Sequence, residues 1–289
     1  MKLRSALIKL HSRLLGKCSF VSDRSFVRGA YFLSFGKLPD LEHPKSFNEH
    51  ICGIKCASES LKLAPYVDKY AVRDYVARQV GETYLNPILG VYDKPEDIPY
   101  GELPKRFVLK CTHGSGYNII VTDKAKLNIA KTNRQLRKWL RKNYYHVGRE
   151  RNYKNVRPRI MVDSYISHGE ALQEYKIFCF GGVPRLVDVN VFSEKGRTTG
   201  IYTTDWERVP VKFGYAPTPE LTPKPKNLSE LLNVAAELAR PFPFVRVDLY
   251  YDGENTIFSE LTFTSGGGLV HFEPEDYDSI FGGYFEDKV

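Results

Sequence analysis

Apolar positions recur at two spacings along this chain, and the spacing sorts it into helices and strands. Residues 2–15 place Leu3, Leu7, Leu10 and Leu14 on one helical stripe, flanked by Lys2, Arg4, Lys9 and Arg13. Such a helix either packs its stripe on the body of the protein or lies against an anionic lipid surface. The segment YVDKYAVRDYVARQ, 66–79, predicts a second helix, ended by Gly81 with Pro87 beyond it. KRFVLKC (105–111) and IIVT (119–122) predict strands around the glycine-containing loop HGSGYN (113–118). Residues 131–145 predict a very basic helix, and RIMVDSYI (159–166) another strand.

In the second half, EYKIFCF and VPRLVDVNV flank Gly181-Gly182, a short-range hairpin signal. Five prolines within 210–226 predict an irregular connection. A helix over 228–240 follows, with Asn227 or Ser229 as its cap. The last pair, FVRVDLYY (244–251) and TIFSELTF (256–263), is joined by DGEN and followed by the glycine-rich Ser265–Gly268. Strands, helices and hairpins mixed in this way predict an α+β fold rather than a regular βαβ array.

The closing hairpin carries the most chemistry. Arg246 and Asp248 share one strand face, and Phe258, Glu260 and Thr262 share a face of the other. A three-residue loop sets Asp248 opposite Glu260 and Arg246 opposite Thr262. A two-residue loop slips the register and sets Asp248 against Ser259. Opposed carboxylates repel unless a cation lies between them, and oxygen-only ligands suit Mg²⁺. The plainer reading is a solvated strand face with Arg246 as internal counter-ion. Upstream, Lys110 ends a strand that runs into His113, Gly114, Ser115 and Gly116, a small loop whose backbone N–H groups can approach phosphate. It is not a Walker loop, and no nucleophile elbow is present.

Composition adds bounds. The 289 residues suit about two domains. The 42 basic and 34 acidic residues leave a net charge of +8, which suits an anionic partner of some kind. The basic helix at 131–142 raises nucleic acid as a partner, but no familiar nucleic-acid module accompanies it, so none is expected. Five cysteines, with Cys52 and Cys56 at a C-x3-C spacing and no second pair nearby, fit reduced thiols rather than zinc. No apolar run reaches the length of a membrane span, and the basic start has no uninterrupted apolar core. The expected location is the cytoplasm, peripheral to the inner face of the membrane if the 2–15 helix touches it.

In order along the chain, PKSFNEHI (44–51), DKYAVRDYV (68–76), FVLKCTHGSGYNIIV (107–121), EYKIFCFGGVPRLVDV (174–189) and FVRVDLYYDGENTIFSELTFTSGGG (244–268) resemble the ATP-grasp superfamily. The likeness is to its TupA-like branch, named for a teichuronopeptide biosynthesis protein, and spans roughly 40–285. It implies an N-terminal helical extension or partial N-terminal subdomain (1–65), a central subdomain with the phosphate loop (66–166) and a C-terminal subdomain with the metal hairpin (167–289). ATP would lie between the two subdomains, with Mg²⁺. By position, Lys110 would meet the α/β-phosphates, and His113 to Gly116 would close over them. Tyr165 and Ile166 would sit beside adenine, with Asp163 near where many members place a Glu. Glu174 would bond the ribose hydroxyls, and Lys176 would reach the nucleotide. Arg246 would be the phosphate arginine; Asp248, Glu260 and Thr262 would be the metal ligands, Thr262 standing where the family usually has Asn. Lys110, His113 and Arg246 are the expected catalytic set.

The reaction the resemblance implies is ADP-forming: a carboxylate attacks the γ-phosphate, and an amine takes the acylphosphate. The expected substrates are an acidic glycan or uronic-acid-type carboxylate and an amine, in cell-surface polysaccharide biosynthesis. The rivals are a glycosyl- or phosphoryl-transferase of the same pathway and a nucleotide-binding module without turnover.

Overall fold

The structure, a computed structural model, describes residues 2–166, 172–193 and 196–287. Residue 167, where the sequence puts its second domain boundary, lies outside them. Three helices open the chain: α1 (Lys2–Leu15), α2 (Asp23–Phe35) and α3 (Phe47–Cys56). Helix α3 starts on a capping box in which Ser46 and Glu49 satisfy each other's backbone N–H groups.

Helix α1 is turned differently from the first of the two expectations. Leu3, Leu7, Leu10 and Leu14 are exposed, at 74, 39, 49 and 63%. The packed face is a neighbouring one: the His11 ring lies 4.5 Å from Phe26, Leu15 joins the α2 core, and Ser12 Oγ donates to the Val147 carbonyl at 2.7 Å. Specific aromatic and hydrogen-bonding contacts, rather than the count of leucines, choose which side faces inward.

The helix expected over 66–79 is two, α4 (Ala64–Val67) and α5 (Val72–Gln79). Asp68 breaks it: its Oδ1 accepts from the Tyr70 and Ala71 N–H groups, and its Oδ2 takes Arg159 at 3.0 Å. Next come β1 (Ile88–Tyr92), β2 (Phe107–Cys111), β3 (Asn118–Val121), α6 (Ile129–Leu140), α7 (Tyr145–Gly148) and β4 (Ile160–Ser164). The strands form an antiparallel sheet in the order β1-β4-β2-β3. Phe107, Leu109, Ile160 and Val162 bury one face with Leu136 of α6. By strand alternation, Val108, Lys110 and Asp163 are left on the other.

The second sheet runs β11-β10-β5-β6-β7-β9. It is built from β5 (Gln173–Phe180), β6 (Val183–Ser193), β7 (Gly196–Thr203), β9 (Ala216–Pro217), β10 (Phe244–Tyr251) and β11 (Thr256–Thr262). A small pair, β8 (Lys212–Phe213) with β12 (Phe272–Glu273), and helices α8 (Leu228–Ala239) and α9 (Asp276–Gly283) complete the described fold. Gly181 and Gly182 both take positive φ at the β5–β6 turn, the backbone such a tight hairpin demands.

The two faces of this sheet have different fates. Tyr175, Ile177 and Cys179 of β5, with Val245, Val247 and Leu249 of β10, pack on Leu231, Val234 and Leu238 of α8. On the opposite face, Phe178, Phe180 and Phe244 pack under Phe47, Ile51 and Phe281 of α3 and α9. Further along those same strands the face turns polar, with Glu174, Lys176, Arg246 and Asp248. The change from apolar to charged along one face is what creates a site. The architecture is α+β, as expected.

Candidate functional site

The hairpin that carries Asp248 and Glu260 uses both of the registers the sequence permits. At its tip, Tyr251 pairs with Thr256 and Leu249 with Phe258, the register of a two-residue loop. Asp252 Oδ1 braces that turn by accepting from the Glu254 and Asn255 N–H groups at 3.0 and 2.7 Å. Ser259 is then an extra residue, a β-bulge, and below it the register is that of the longer loop. Asp248 therefore stands opposite Glu260 and Arg246 opposite Thr262. The rung continues across β5 and β6, from Asp248 to Lys176 to Asp188.

Asp248 is fully buried and gripped from two sides. Arg246 holds it by Nε to Oδ1 at 2.6 Å and by a second guanidinium nitrogen to Oδ2 at 2.7 Å, and Lys176 reaches Oδ2 at 3.0 Å. Arg246 also donates to Ser265 Oγ at 3.0 Å and to Thr262 Oγ1 at 3.2 Å. Glu260 accepts from Lys69 Nζ at 2.9 Å and from Thr262 Oγ1 at 3.3 Å. Lys176 lies 3.2 Å from Glu174, which also accepts from Asn190 at 2.8 Å. Burial alone would raise the Glu260 carboxyl, but Lys69, Arg246 and Lys176 outweigh it and hold it at about 2. Burial acts the same way on Glu174 and there prevails, raising its carboxyl despite Lys176. Burial also opposes the charge on Lys176, yet Asp248 and Glu174 carry it above its ordinary value.

Across a cleft, the first sheet supplies the facing wall. Lys110 Nζ donates to Asp163 Oδ2 at 2.5 Å, and buried Asp163 Oδ1 has no hydrogen-bond partner among the described residues. Between the sheets is an apolar slot of about 480 Å³, lined among others by Val108, Ile120, Tyr165, Ile166, Val191 and Tyr250. It shares Asn86, Lys110, Asn118, Ile166 and Tyr250 with a polar chamber of about 300 Å³ that is also lined by Lys69, Ser115, Gly116, Asp163, Glu174, Lys176 and Glu260. The Arg106 guanidinium lies 5.0 Å from the centre of the Tyr165 ring, on the rim of the slot.

Most of the residues singled out from the sequence thus converge on one cleft. His113 does not. Its ring is buried, 1% exposed, with Nε2 3.1 Å from the Trp139 carbonyl, and burial lowers its pKa. Gly114 packs against Tyr117 and Tyr144, leaving Ser115 and Gly116 as the loop residues that reach the chamber. Lys69, Asn118 and Tyr250 are site residues that sequence reasoning assigned no role. The Asp68 break points Lys69 inward, its backbone N–H bonded to the Thr112 carbonyl at 3.1 Å. An acidic residue directly before that lysine, able to cap its own backbone, was the available signal.

The donor set tests whether a metal fits. Asp248, Glu260 and Thr262 offer oxygen only, the preference of a hard divalent cation such as Mg²⁺. Among the described residues no group of three or more His, Cys, Asp or Glu side chains forms a metal cage. A cation here would complete its shell with ligand oxygens, the usual habit of Mg²⁺. Lys69, Lys176 and Arg246 already balance Glu174, Asp248 and Glu260. The residues fit such a divalent cation.

Among curated proteins none matches the chain. Of solved structures, the ATP-grasp ligase PsnB complexed with its minimal precursor is similar at 10% identity and a TM-score of 0.42, over 70% of this chain and 54% of that one. A D-alanine–D-alanine ligase from Bacillus anthracis complexed with ATP is similar at 16% identity and a TM-score of 0.44, over 82% and 62%. A RimK domain ATP-grasp protein from Sphaerobacter thermophilus gives 13% and 0.42, over 79% and 69%. The chain thus spans little more than half the length of the first and under two thirds of the second. The sequence profile of the TupA-like ATP-grasp family matches residues 49–286, a stretch that contains the whole charged cluster. The chain belongs to the TupA-like ATP-grasp family.

Proposed function

We propose that this chain is an ATP- and Mg²⁺-dependent carboxylate–amine ligase, ADP-forming, acting on a precursor of a cell-surface polysaccharide. The observation that carries the reading is the balanced cluster around Asp248 and Glu260, set at the polar end of a cleft whose other end is apolar. Adenine would take the apolar slot beside Tyr165 and Ile166, with Glu174 toward the ribose. Lys110 would meet the α/β-phosphates, and Lys69, Lys176 and Arg246 the terminal one. Asp248, Glu260 and Thr262 would hold Mg²⁺, which when bound neutralises phosphate charge.

In the first step a substrate carboxylate oxygen attacks the γ-phosphorus while its bond to ADP breaks. In the second an amine attacks the acyl carbon, inorganic phosphate leaves, and the amine gives up its proton. Negative charge grows on the transferring group in the first step. Arg246 is positioned in advance by Asp248, Ser265 and Thr262, so meeting that charge requires little rearrangement. A uronic-acid-type carboxylate suits the net charge of +8.

The test is a thermal melt with MgATP, followed by acceptor-dependent ADP release. A ligand at 100 times its Kd adds about 2.7 kcal/mol, or several degrees. That shift is expected in the wild type and blunted in Asp248→Asn; its absence under saturating nucleotide overturns the reading. A shift without ADP release from any acid and amine pair favours a binding module instead.

The exposed leucines of α1 add a location. Among the described residues no helix is long and apolar enough to cross a membrane. We infer that the stripe, with Arg4, Lys9 and Arg13 on the same helix, rests on an anionic lipid surface. Co-sedimentation with anionic vesicles, lost on Leu7→Ser/Leu10→Ser and absent with neutral vesicles, is the expected result. Equal recovery with both vesicle types overturns it.

A further inference from the structure

The turn that opens α5 sends two cations into the chamber, Lys69 and Arg73, one helical turn apart. Val72 N–H donates to the Asp68 carbonyl at 3.0 Å and Arg73 N–H to the Tyr70 carbonyl at 3.2 Å, so the two side chains leave the same side of that turn. Asp68 fixes it through the Tyr70 and Ala71 N–H groups and through Arg159, whose guanidinium lies 4.6 Å from the centre of the Tyr70 ring. Val72, Tyr75 and Val76 pack α5 into the core beside α8, and the Tyr75 hydroxyl donates to the Leu238 carbonyl at 2.8 Å. Arg73 therefore starts from a firmly anchored backbone.

The other cations of the chamber are taken. Lys69 is on Glu260, Lys110 on Asp163, and Lys176 on Asp248 and Glu174, all within 3.2 Å. Arg197 donates to Asn190 Oδ1 and lies 4.0 Å from the centre of the Tyr215 ring. Arg73 is half-buried, and among the described residues its guanidinium has no hydrogen bond, ion pair or ring contact. Its place adds a direction. Lys69, Arg73, Ser115 and Gly116 line the chamber but not the apolar slot, so they stand at the end away from the base. A nucleotide with its base in the slot brings its last phosphate to that end. A phosphate that meets Lys69 or Lys176 must share them with carboxylates. One that meets Arg73 gains a planar fork matched to two of its oxygens, and no internal bond is given up.

We propose that Arg73 reads the terminal phosphate, the group by which ATP differs from ADP, and so sets the preference of this site for the triphosphate over the diphosphate. The inference rests on the ligase reading above and adds its selectivity for substrate over product. When the γ-phosphorus bonds to the substrate carboxylate oxygen and its bond to ADP breaks, the phosphoryl group stays beside Arg73. The product that departs is then the one Arg73 does not hold.

The test is a calorimetric titration of MgATP and of MgADP into the wild type, Arg73→Ala and Arg78→Ala, the last of which removes an equal charge from the exposed end of α5. The wild type is expected to bind MgATP more tightly than MgADP. Arg73→Ala is expected to weaken MgATP about tenfold and to leave MgADP nearly unchanged. The melting temperature of the unliganded variant should match the wild type, because no contact within the fold is lost. Arg78→Ala is expected to leave both affinities in place. Equal weakening of the two nucleotides by Arg73→Ala, or an equal effect of Arg78→Ala, reduces Arg73 to bulk charge and overturns the assignment. Unchanged MgATP affinity in Arg73→Ala also overturns it and leaves the guanidinium to another anion, such as the reacting carboxylate. The two failures are distinguishable. A wild type that does not bind MgATP sinks the ligase reading and this inference with it, whereas MgATP binding that Arg73→Ala does not touch sinks the role of Arg73 alone.

Discussion

Asp23 and Asp248 are both buried carboxylates gripped by arginine, yet their surroundings differ in kind. Asp23 takes Tyr145 at 2.5 Å and Arg149 at 2.9 Å on one oxygen, and Arg151 at 2.7 Å on the other. The second terminal nitrogen of Arg149 donates to both the Leu15 and Cys18 carbonyls, at 3.0 and 2.7 Å. Its cations are both rigid forks, and the cluster pins α2 to the segment after α7. Around Asp248 only Arg246 is a fork; of the cluster's cations it is the lysines, Lys69 and Lys176, that line the chamber, beside Lys110, Arg73 and Arg197 from other elements. A lysine is a mobile point charge that changes partner readily, whereas an arginine fork holds one geometry. A closed cluster fastens the chain; an open one, faced with lysines, is built to exchange its carboxylates for a ligand.

That contrast can be broken from either side. Asp23→Ala strands Arg149, 5% exposed, without a carboxylate and is expected to cost about 3–5 kcal/mol of stability. Denaturant unfolding checks it, and the MgATP affinity of the protein that remains folded should be unchanged. Lys69→Ala should do the reverse: stability moves by about 1 kcal/mol, while MgATP affinity falls about tenfold. A large stability loss without an affinity change would place Lys69 with the fasteners.

Acid sharpens the comparison further. Glu260 is held at about 2 in the fold, below the ordinary 4.5. Its contribution to stability is therefore full above about 4.5 and is lost as pH falls from there toward 2. Melting across that window should be less acid-sensitive in Glu260→Gln than in the wild type. The smallest effect is reserved for His113→Gln, which forfeits a contact to the Trp139 carbonyl worth about 1 kcal/mol and leaves MgATP affinity alone. A fall in affinity would return His113 to the phosphate loop.

The parts legible in the sequence are those fixed by alternation and by tight turns. The apolar and charged faces of β5 and β10, the Gly181–Gly182 hairpin and Lys110 at its strand end follow from period-two patterning. What escaped depends on contacts between distant segments. Whether α1 turns its leucines inward was decided by His11 meeting Phe26 and Ser12 meeting Val147. The break at Asp68 is held by Arg159, ninety-one residues away. His113 was expected in the loop closing over the phosphates, whereas the return of α6 over that loop turns its ring to the Trp139 carbonyl. The register of the last hairpin was open because the bulge adds a residue without leaving a compositional mark.

That bulge reconciles two turn lengths with a single pairing at the base of the hairpin. A strand that slips by one residue normally sends every side chain to the wrong side. Here the short turn with Ser259 looped out, and a turn one residue longer with Ser259 in the ladder, lead to the same partner for Asp248. Both turn lengths are therefore compatible with one and the same acidic pair at the base of the hairpin. Ambiguity at the outer end of the ribbon is thereby kept from the chemistry at its base.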